Sequence, residues 1–185
     1  MTFRTMLTLA IIILYSTFIG AGQTPGITSK NWTDHPAVKE IRDMYAEVMQ
    51  LMEAKKLVRK EKNFEDCEPY QDTVRIVYAD SRGTIRNYYV DAGSDDSMVR
   101  RDFYYDKDGK LRFAFIRGGA VNGTKIEHRI YFDPSGKRIW EIQKLVEGPG
   151  YTFPQDTWPD DEIVYDPIRA FSASNICKEE VVKSR

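Results

Sequence analysis

The chain has 185 residues, and its 27 basic and 28 acidic side chains give a formal net charge of −1. This length suffices to bury the core of one domain. Binding to nucleic acid normally requires a basic face, so the balanced charge argues against a nucleic-acid partner.

The beginning of the chain has the layout of a secretory signal peptide. Arg4 precedes an apolar run over 6–19, which a Gly-Ala-Gly triplet at 20–22 follows. The apolar run is shorter than the roughly 20 residues that a membrane-spanning helix needs. We therefore predict that residues 1–22 are a signal peptide and that the mature chain begins near Gln23. The mature protein would be secreted or periplasmic, without stable insertion in a membrane.

A polar lead-in over 24–31, which we expect to be mobile, precedes an amphipathic helix. Thr33 or Asp34 is a suitable helix cap, and Pro36 suits the first turn. Apolar residues then recur at spacings of three and four, as one face of a helix requires. They are Val38, Ile41, Tyr45, Val48 and Met52. We predict that the helix runs to about Arg59, so that a cluster of basic residues forms its solvated last turn.

From Thr73 onward the apolar residues recur at every second position. This period predicts six strands, each with one apolar and one mixed polar side. Antiparallel strands that follow one another in the chain usually pair, so the simplest topology is a β-meander. With the helix on the apolar side, the fold class is α+β: an N-terminal amphipathic helix packed on an antiparallel β-meander of about six strands. We expect a single domain over 23–185.

Three Asp-x-x-Gly turns separate pairs of these strands, and a tyrosine stands two residues before each aspartate. An aspartate at the first position accepts backbone N–H groups, and a glycine at the fourth supplies a positive φ. The aspartates are Asp80, Asp106 and Asp133, the glycines are Gly83, Gly109 and Gly136, and the tyrosines are Tyr78, Tyr104 and Tyr131. The sequence therefore predicts three β-hairpins.

A second repeated position precedes the same turns. Arg75, Arg101 and His128 each stand five residues before a turn aspartate. This spacing indicates a repeated polar position in the sheet.

The segment 105–111 reads Tyr-Asp-Lys-Asp-Gly-Lys-Leu. It fits the pattern Tyr-Asp-x-x-Gly-Lys/Arg-Leu at every defined position, and the three turns resemble YD-type repeats, the hairpin units of some secreted bacterial shell proteins. The other two turns depart from the pattern, since Ala79 and Phe132 precede their aspartates. Over about 73–145 the resemblance implies hairpins on an exported protein, and three units are too few to enclose a shell.

The chain has two cysteines, Cys67 and Cys177. In an oxidising compartment an isolated pair usually forms a disulfide. The alternative is a catalytic thiol, which would need a nearby histidine, and neither His35 nor His128 lies in a recognisable active-cysteine motif. We predict a disulfide that ties the segment before the first hairpin to the C-terminal tail.

An aromatic loop after the last predicted strand is the candidate binding surface. Tyr151, Phe153 and Trp158 lie among prolines that stiffen the loop, and Tyr and Trp are favoured anchors at interfaces. We predict that these three side chains bind a sugar or a peptide. The alternative is that the rings cover the open end of the sheet.

Motifs for catalysis and for metal binding are missing from the sequence. His128 lies on the apolar side of a predicted strand without an evident carboxylate or nucleophile partner. The turn at Asp106 lacks the ligand pattern of an EF-hand, because Leu111 and Phe113 occupy strand positions. No zinc spacing, phosphate loop or dinucleotide fingerprint occurs. We predict no catalytic residue, no metal site and no cofactor.

These observations predict an exported, non-enzymatic binding protein that recognises a protein or glycan of the envelope or extracellular space. Two alternatives stay open. A carboxylate-based extracellular hydrolase would need buried acidic residues that converge in a cleft. A self-assembling subunit would need a long, bare, uncharged edge strand.

Overall fold

The computed structural model of the protein describes residues 26–65, 72–150 and 157–173. These residues form one long helix, seven strands, a 3₁₀ turn and a short C-terminal helix. In chain order the elements are α1 (Pro36–Glu53), β1 (Val58–Glu65), β2 (Asp72–Ala79), β3 (Ile85–Gly93), β4 (Ser97–Tyr105), β5 (Leu111–Ala120), β6 (Lys125–Phe132), β7 (Arg138–Glu147), the 3₁₀ turn (Asp160–Glu162) and α2 (Pro167–Ser172).

Several sequence predictions fall outside the described residues. The signal peptide over 1–22 does, as do Cys67 and Cys177 of the predicted disulfide. The same holds for Tyr151 and Phe153 of the aromatic loop. These stay predictions.

All seven strands belong to one sheet, and each pairs antiparallel with the next strand along the chain. The combination of one helix with an antiparallel meander is therefore confirmed. The number of about six strands is wrong, because β1 forms from residues that the sequence placed partly in the basic end of the helix.

The helix α1 ends at Glu53 rather than near Arg59. Lys55 follows it with a φ of 54°, in the left-handed region. The amide of Lys56 donates to the carbonyl of Leu51 at 2.9 Å, which closes the chain reversal that terminates many helices. Glycine usually occupies the left-handed position of this ending. Because a lysine stands there, the sequence carries no stop signal.

The helix also begins with a cap other than the predicted Thr33 or Asp34. His35 is the N-cap residue, and its Nδ1 accepts a hydrogen bond from the Ala37 amide at 3.2 Å. Pro36 occupies the first turn, as predicted.

The three Asp-x-x-Gly turns have the predicted geometry. In each turn one carboxylate oxygen accepts two backbone N–H groups at 2.8–3.0 Å. Gly83, Gly109 and Gly136 have φ values of 83°, 75° and 85°. Beside each turn the pairing shifts by one residue, so that the strand after the turn contains one extra residue: Arg86, Arg112 and Ile139.

Both faces of the sheet are covered, but not by the predicted elements. On one side, which we call the apolar face, Tyr88, Phe103 and Ile130 pack with Trp158 and Phe171 of the C-terminal segment. On the other side, which we call the mixed face, the buried residues of α1 cluster with aromatic residues of β4, β5 and β6. The prediction that the helix covers the apolar face is wrong.

The tyrosine of each repeat explains why α1 packs on the mixed face. Cross-strand pairing places Tyr78, Tyr104 and Tyr131 in one row across the mixed face, together with Phe113 and Trp140. The mixed face is therefore aromatic at the end near the Asp turns. The helix α1 packs on this aromatic end, although the far end of the same face is charged.

The repeated polar position holds the C-terminal segment on the apolar face. Cross-strand pairing through β3 and β5 places Arg75, Arg101 and His128 in one row, as the repeat predicts. Arg101 donates to the carboxylate of Glu162 at 2.8 Å. Arg75 donates to the carbonyl of Ala170 at 3.5 Å.

Two buried arginines join α1 to the sheet. Nη2 of Arg86, in β3, lies 3.7 Å from the Glu47 carboxylate. Nη1 of Arg112, in β5, lies 3.0 Å from the Glu40 carboxylate. In both arginines Nε also donates to the backbone carbonyl of the residue just before the next turn aspartate. We call these contacts the two Arg–Glu pairs.

The spacing of the two Arg–Glu pairs fixes how α1 crosses the sheet. Glu40 and Glu47 are seven residues apart, which is about 10.5 Å along a helix. One strand separates β3 from β5, so the two arginines are about 9.6 Å apart across the sheet. The helix therefore runs across the strands, from β6, where Trp32 contacts Tyr131, to β3.

We predict that Gly83→Ala lowers the free energy of unfolding by about 1 kcal/mol or more, because an alanine at positive φ is strained. No atom lies within 4 Å of the added Cβ at this position, so steric contact contributes nothing to the loss. The control is Gly119→Ala, where the Cβ meets only an ordinary contact at 3.9 Å and φ is not positive. Urea unfolding measures both variants, and equal stability of Gly83→Ala and wild type would contradict the assigned turn.

Candidate functional site

A groove of about 780 Å³ lies between α1 and the mixed face, where the helix crosses β5 and β6. Arg42, Asp43 and Ala46 of α1 line it. At about 100° per residue, Arg42 and Ala46 lie on the opposite flank of the helix from Glu40 and Glu47, and Asp43 lies on the exposed side between the two flanks. The groove and the two Arg–Glu pairs therefore lie on opposite sides of α1.

Five of the twelve residues that line the groove are aromatic. Phe113 is central: its ring centroid lies 5.0 Å from that of Tyr131 and 5.5 Å from that of Tyr45. Phe115 continues the row along β5 at 6.3 Å, with its ring nearly parallel to that of Phe113. Trp32 closes the other end at 6.2 Å from Tyr131. Rings held in this way lose little conformational entropy on binding.

Basic side chains outnumber acidic ones at the groove. Its lining includes Lys39, Arg42 and Arg129, against the single acid Asp43. Arg42 donates to the backbone carbonyl of Thr33 at 3.2 Å. A guanidinium group has five N–H donors, so this contact leaves Arg42 most of its hydrogen-bonding capacity.

Arg42 and Arg129 lie close to the phenol of Tyr131. Burial raises the pKa of Tyr131, and the positive charges of Arg129 and Arg42 oppose part of that rise. One cation comes from the helix and the other from the sheet. A negative group above the Tyr131 ring would therefore meet positive charge from both walls.

Phe115 lies between two guanidinium groups. The Cζ of Arg117 lies 5.1 Å from its ring centroid and that of Arg129 lies 5.2 Å away. A guanidinium group stacked on a ring can still bind a carboxylate or phosphate through its N–H groups, and Nη2 of Arg117 already donates to Asp102 at 2.8 Å. Arg129 keeps 38% of its side chain exposed although it also pairs with Glu127 at 2.6 Å.

None of these groove residues belongs to the predicted binding set. The sequence places Tyr45 in the helical stripe and Phe113 in a strand, which identifies both as core candidates. Only the placement of α1 on the mixed face brings them beside Arg129. The sequence signal that could have indicated this placement is the tyrosine of each repeat, which lies beneath the helix.

Trp158, the described member of the predicted aromatic loop, is buried at 5% exposure. The expectation of an exposed ring is wrong, because the indole packs on the apolar face. Its ring centroid lies 5.3 Å from that of His128 and 5.9 Å from the Cζ of Arg101. For Trp158, the alternative given by the sequence is correct: the ring covers part of the sheet.

Glu141 is the carboxylate partner of His128 that the sequence did not reveal. Its Oε1 lies 3.2 Å from Nδ1 of His128 and accepts the Trp158 amide at 2.6 Å. Arg138 donates to its Oε2 at 2.5 Å. Burial acts to raise the pKa of Glu141, but these three donors outweigh it and lower the pKa below its ordinary value.

Two carboxylates that accept several hydrogen bonds or pair with arginine, Asp102 and Glu141, lie on opposite faces of the sheet. Asp102 is on the mixed face and pairs with Arg117 at 2.8 Å, whereas Glu141 is on the apolar face. Burial raises the pKa of Asp102, and Arg117 opposes this rise. A pair of carboxylates for glycoside hydrolysis must flank one bond. Asp102 and Glu141 therefore cannot form such a pair with each other.

The edge strand β1 carries Arg59, Lys60, Glu61 and Lys62 in succession. Charged edges of this kind disfavour pairing with another sheet. This observation weighs against self-assembly through β1.

In comparisons with known proteins, no family model matches the chain, and neither a curated protein nor a solved structure does. The resemblance to YD-type hairpins therefore stays a prediction. Within the described residues no helix combines the length and the apolar character needed to cross a membrane. In the same ranges no three His, Cys, Asp or Glu side chains are grouped as metal ligands would be.

We predict that Glu141→Gln destabilises the protein by about 2 kcal/mol at neutral pH, because three donors lose a charged acceptor. The folded-state pKa of Glu141 is lowered. Its contribution is therefore complete above the ordinary glutamate pKa of about 4.3 and is lost as the pH falls through the lower folded-state value.

Urea unfolding at about pH 7 and about pH 3 tests this linkage. The difference between wild type and Glu141→Gln should be largest at neutral pH and smaller in acid. The control is Glu53→Gln at the exposed end of α1, which should change stability little at either pH. A pH-independent difference for Glu141→Gln would contradict the assigned network.

Proposed function

We propose that the chain is an exported, non-enzymatic binding protein whose ligand, part of an envelope or extracellular macromolecule, occupies the groove between α1 and the mixed face. Export rests on the predicted signal peptide over 1–22. The binding role rests on one observation: a groove of about 780 Å³ with an aromatic wall and an excess of basic side chains. Ligand sites are typically concave, largely apolar and fitted with a few polar groups, and their volumes are similar to this one.

The surroundings of the groove support binding rather than catalysis. Phe113 and Tyr131 are held by ring contacts on both sides, and Arg129 is stacked on Phe115. These groups offer area and positive charge. The described groove lining contains one acid, Asp43, on an exposed turn of α1.

The test is to fill the groove without disturbing the core. Ala46 lines the groove and is exposed on α1, so Ala46→Trp places a large ring there. Gln50→Trp, at an exposed position on the same helix outside the groove, is the matched control. We predict that both variants keep the wild-type unfolding midpoint.

The immobilised mature protein is then incubated with envelope material or culture fluid from its own source, and the retained protein and carbohydrate are identified. Wild type and Gln50→Trp should retain the same component, and Ala46→Trp should lose it. Equal retention by all three proteins would contradict the groove as the binding surface, and so would retention of nothing by wild type.

A further inference from the structure

We infer that the ligand of the groove is an acidic glycan, a polysaccharide whose pyranose rings carry carboxylate groups. This inference rests on the proposed function and names the chemical class that the same groove would take. Three features of the groove carry it: its positive charge, its aromatic wall and the paired backbone of its floor.

The positive charge is available to a ligand. Among the described residues Arg42 contacts no carboxylate, and Thr33 accepts only one of its five N–H donors. Arg129 keeps 38% of its side chain exposed, although its Nη2 pairs with Glu127. Guanidinium groups bind carboxylates through two parallel N–H donors, which selects a planar anion over a neutral hydroxyl.

The aromatic wall suits a ring-shaped apolar surface. One side of a pyranose carries C–H groups, and this side packs on aromatic rings while the hydroxyl groups keep their water. Trp32, Tyr45 and Phe115 remain partly exposed at the groove, while Phe113 and Tyr131 form its buried floor. A sugar that lies on these rings would bring a ring carboxylate to Arg42 or Arg129 at the groove margin.

The floor of the groove argues against an acidic peptide. The strands β5 and β6 are internal, so each pairs with a neighbour on both sides. One mode of peptide binding gains its affinity by adding a strand to a free sheet edge. The floor offers no such edge, and recognition must come from side chains. The formal net charge of −1 argues equally against nucleic acid.

The experiment measures binding of oligogalacturonate and of the same oligomer as its methyl ester, by calorimetry and by Trp fluorescence. The two probes share the sugar and differ in charge. The variants are Arg42→Met and, as control, Arg100→Met, whose arginine lies on the same face outside the groove and pairs with Asp91 at 3.0 Å. Unfolding midpoints verify that both variants fold.

We expect wild type and Arg100→Met to bind the acid form alike and the methyl ester weakly. Arg42→Met should bind the acid form about tenfold more weakly, as expected for loss of a charged hydrogen bond. Added salt should weaken wild-type binding. Ala46→Trp should abolish it.

Several results would overturn the inference. They are equal binding of acid and ester, an unchanged affinity of Arg42→Met, binding of poly-glutamate with equal affinity and the same dependence on Arg42, and no binding of any probe. If a captured neutral ligand is lost in Ala46→Trp, the acidic class is wrong and the proposed function stands. If Ala46→Trp retains every ligand of wild type, both are wrong.

Discussion

The position of α1 on the sheet depends on the two Arg–Glu pairs. The apolar residues of the helix supply free energy through burial, but that contribution has no direction and would tolerate a shift along the aromatic row. Arg86 and Arg112 are buried, and a buried charge without an acidic partner is costly. Arg112 has a second such partner in Asp106, at 3.6 Å. Because the partners on α1 are two helical turns apart and the arginines two strand spacings apart, one crossing brings both carboxylates within 4 Å of their arginines.

The groove follows from that crossing. With Glu40 and Glu47 turned toward the Asp turns, the opposite flank of α1 overhangs the second row of the mixed face, where Phe115 and Arg129 lie. The third hairpin carries Ile139 at the position of the two arginines. The repeat thus provides two attachment points for the helix.

The sequence predicts the local features of this fold and misses the long-range ones. Asp-x-x-Gly turns and period-two strands are encoded within a few residues, and the structure has both. The end of α1 was missed because Lys55 occupies a position that glycine usually marks. The sequence did not predict which element covers which face of the sheet. Both faces carry aromatic residues, so the alternation of residues along the strands does not indicate the face on which the helix packs.

The candidate site was missed for the same reason. Tyr131 and Arg129 become part of a groove only because α1 packs over them. His128 contacts Glu141 only because β7 pairs with β6. The repeats nevertheless contained a usable signal. The tyrosine of each repeat seats α1, and the polar residue of each repeat lies in the row on which the C-terminal segment docks.

Hydrogen exchange on the double variant Arg86→Met/Arg112→Met tests the central claim, that the two Arg–Glu pairs hold α1 in place. Arg82→Met/Arg100→Met, which replaces two exposed arginines, serves as the control. The amides of α1 should exchange faster in the first variant alone, while those of β4, β5 and β6 keep their protection. Unchanged protection of α1, or a uniform loss across helix and sheet, would contradict the claim.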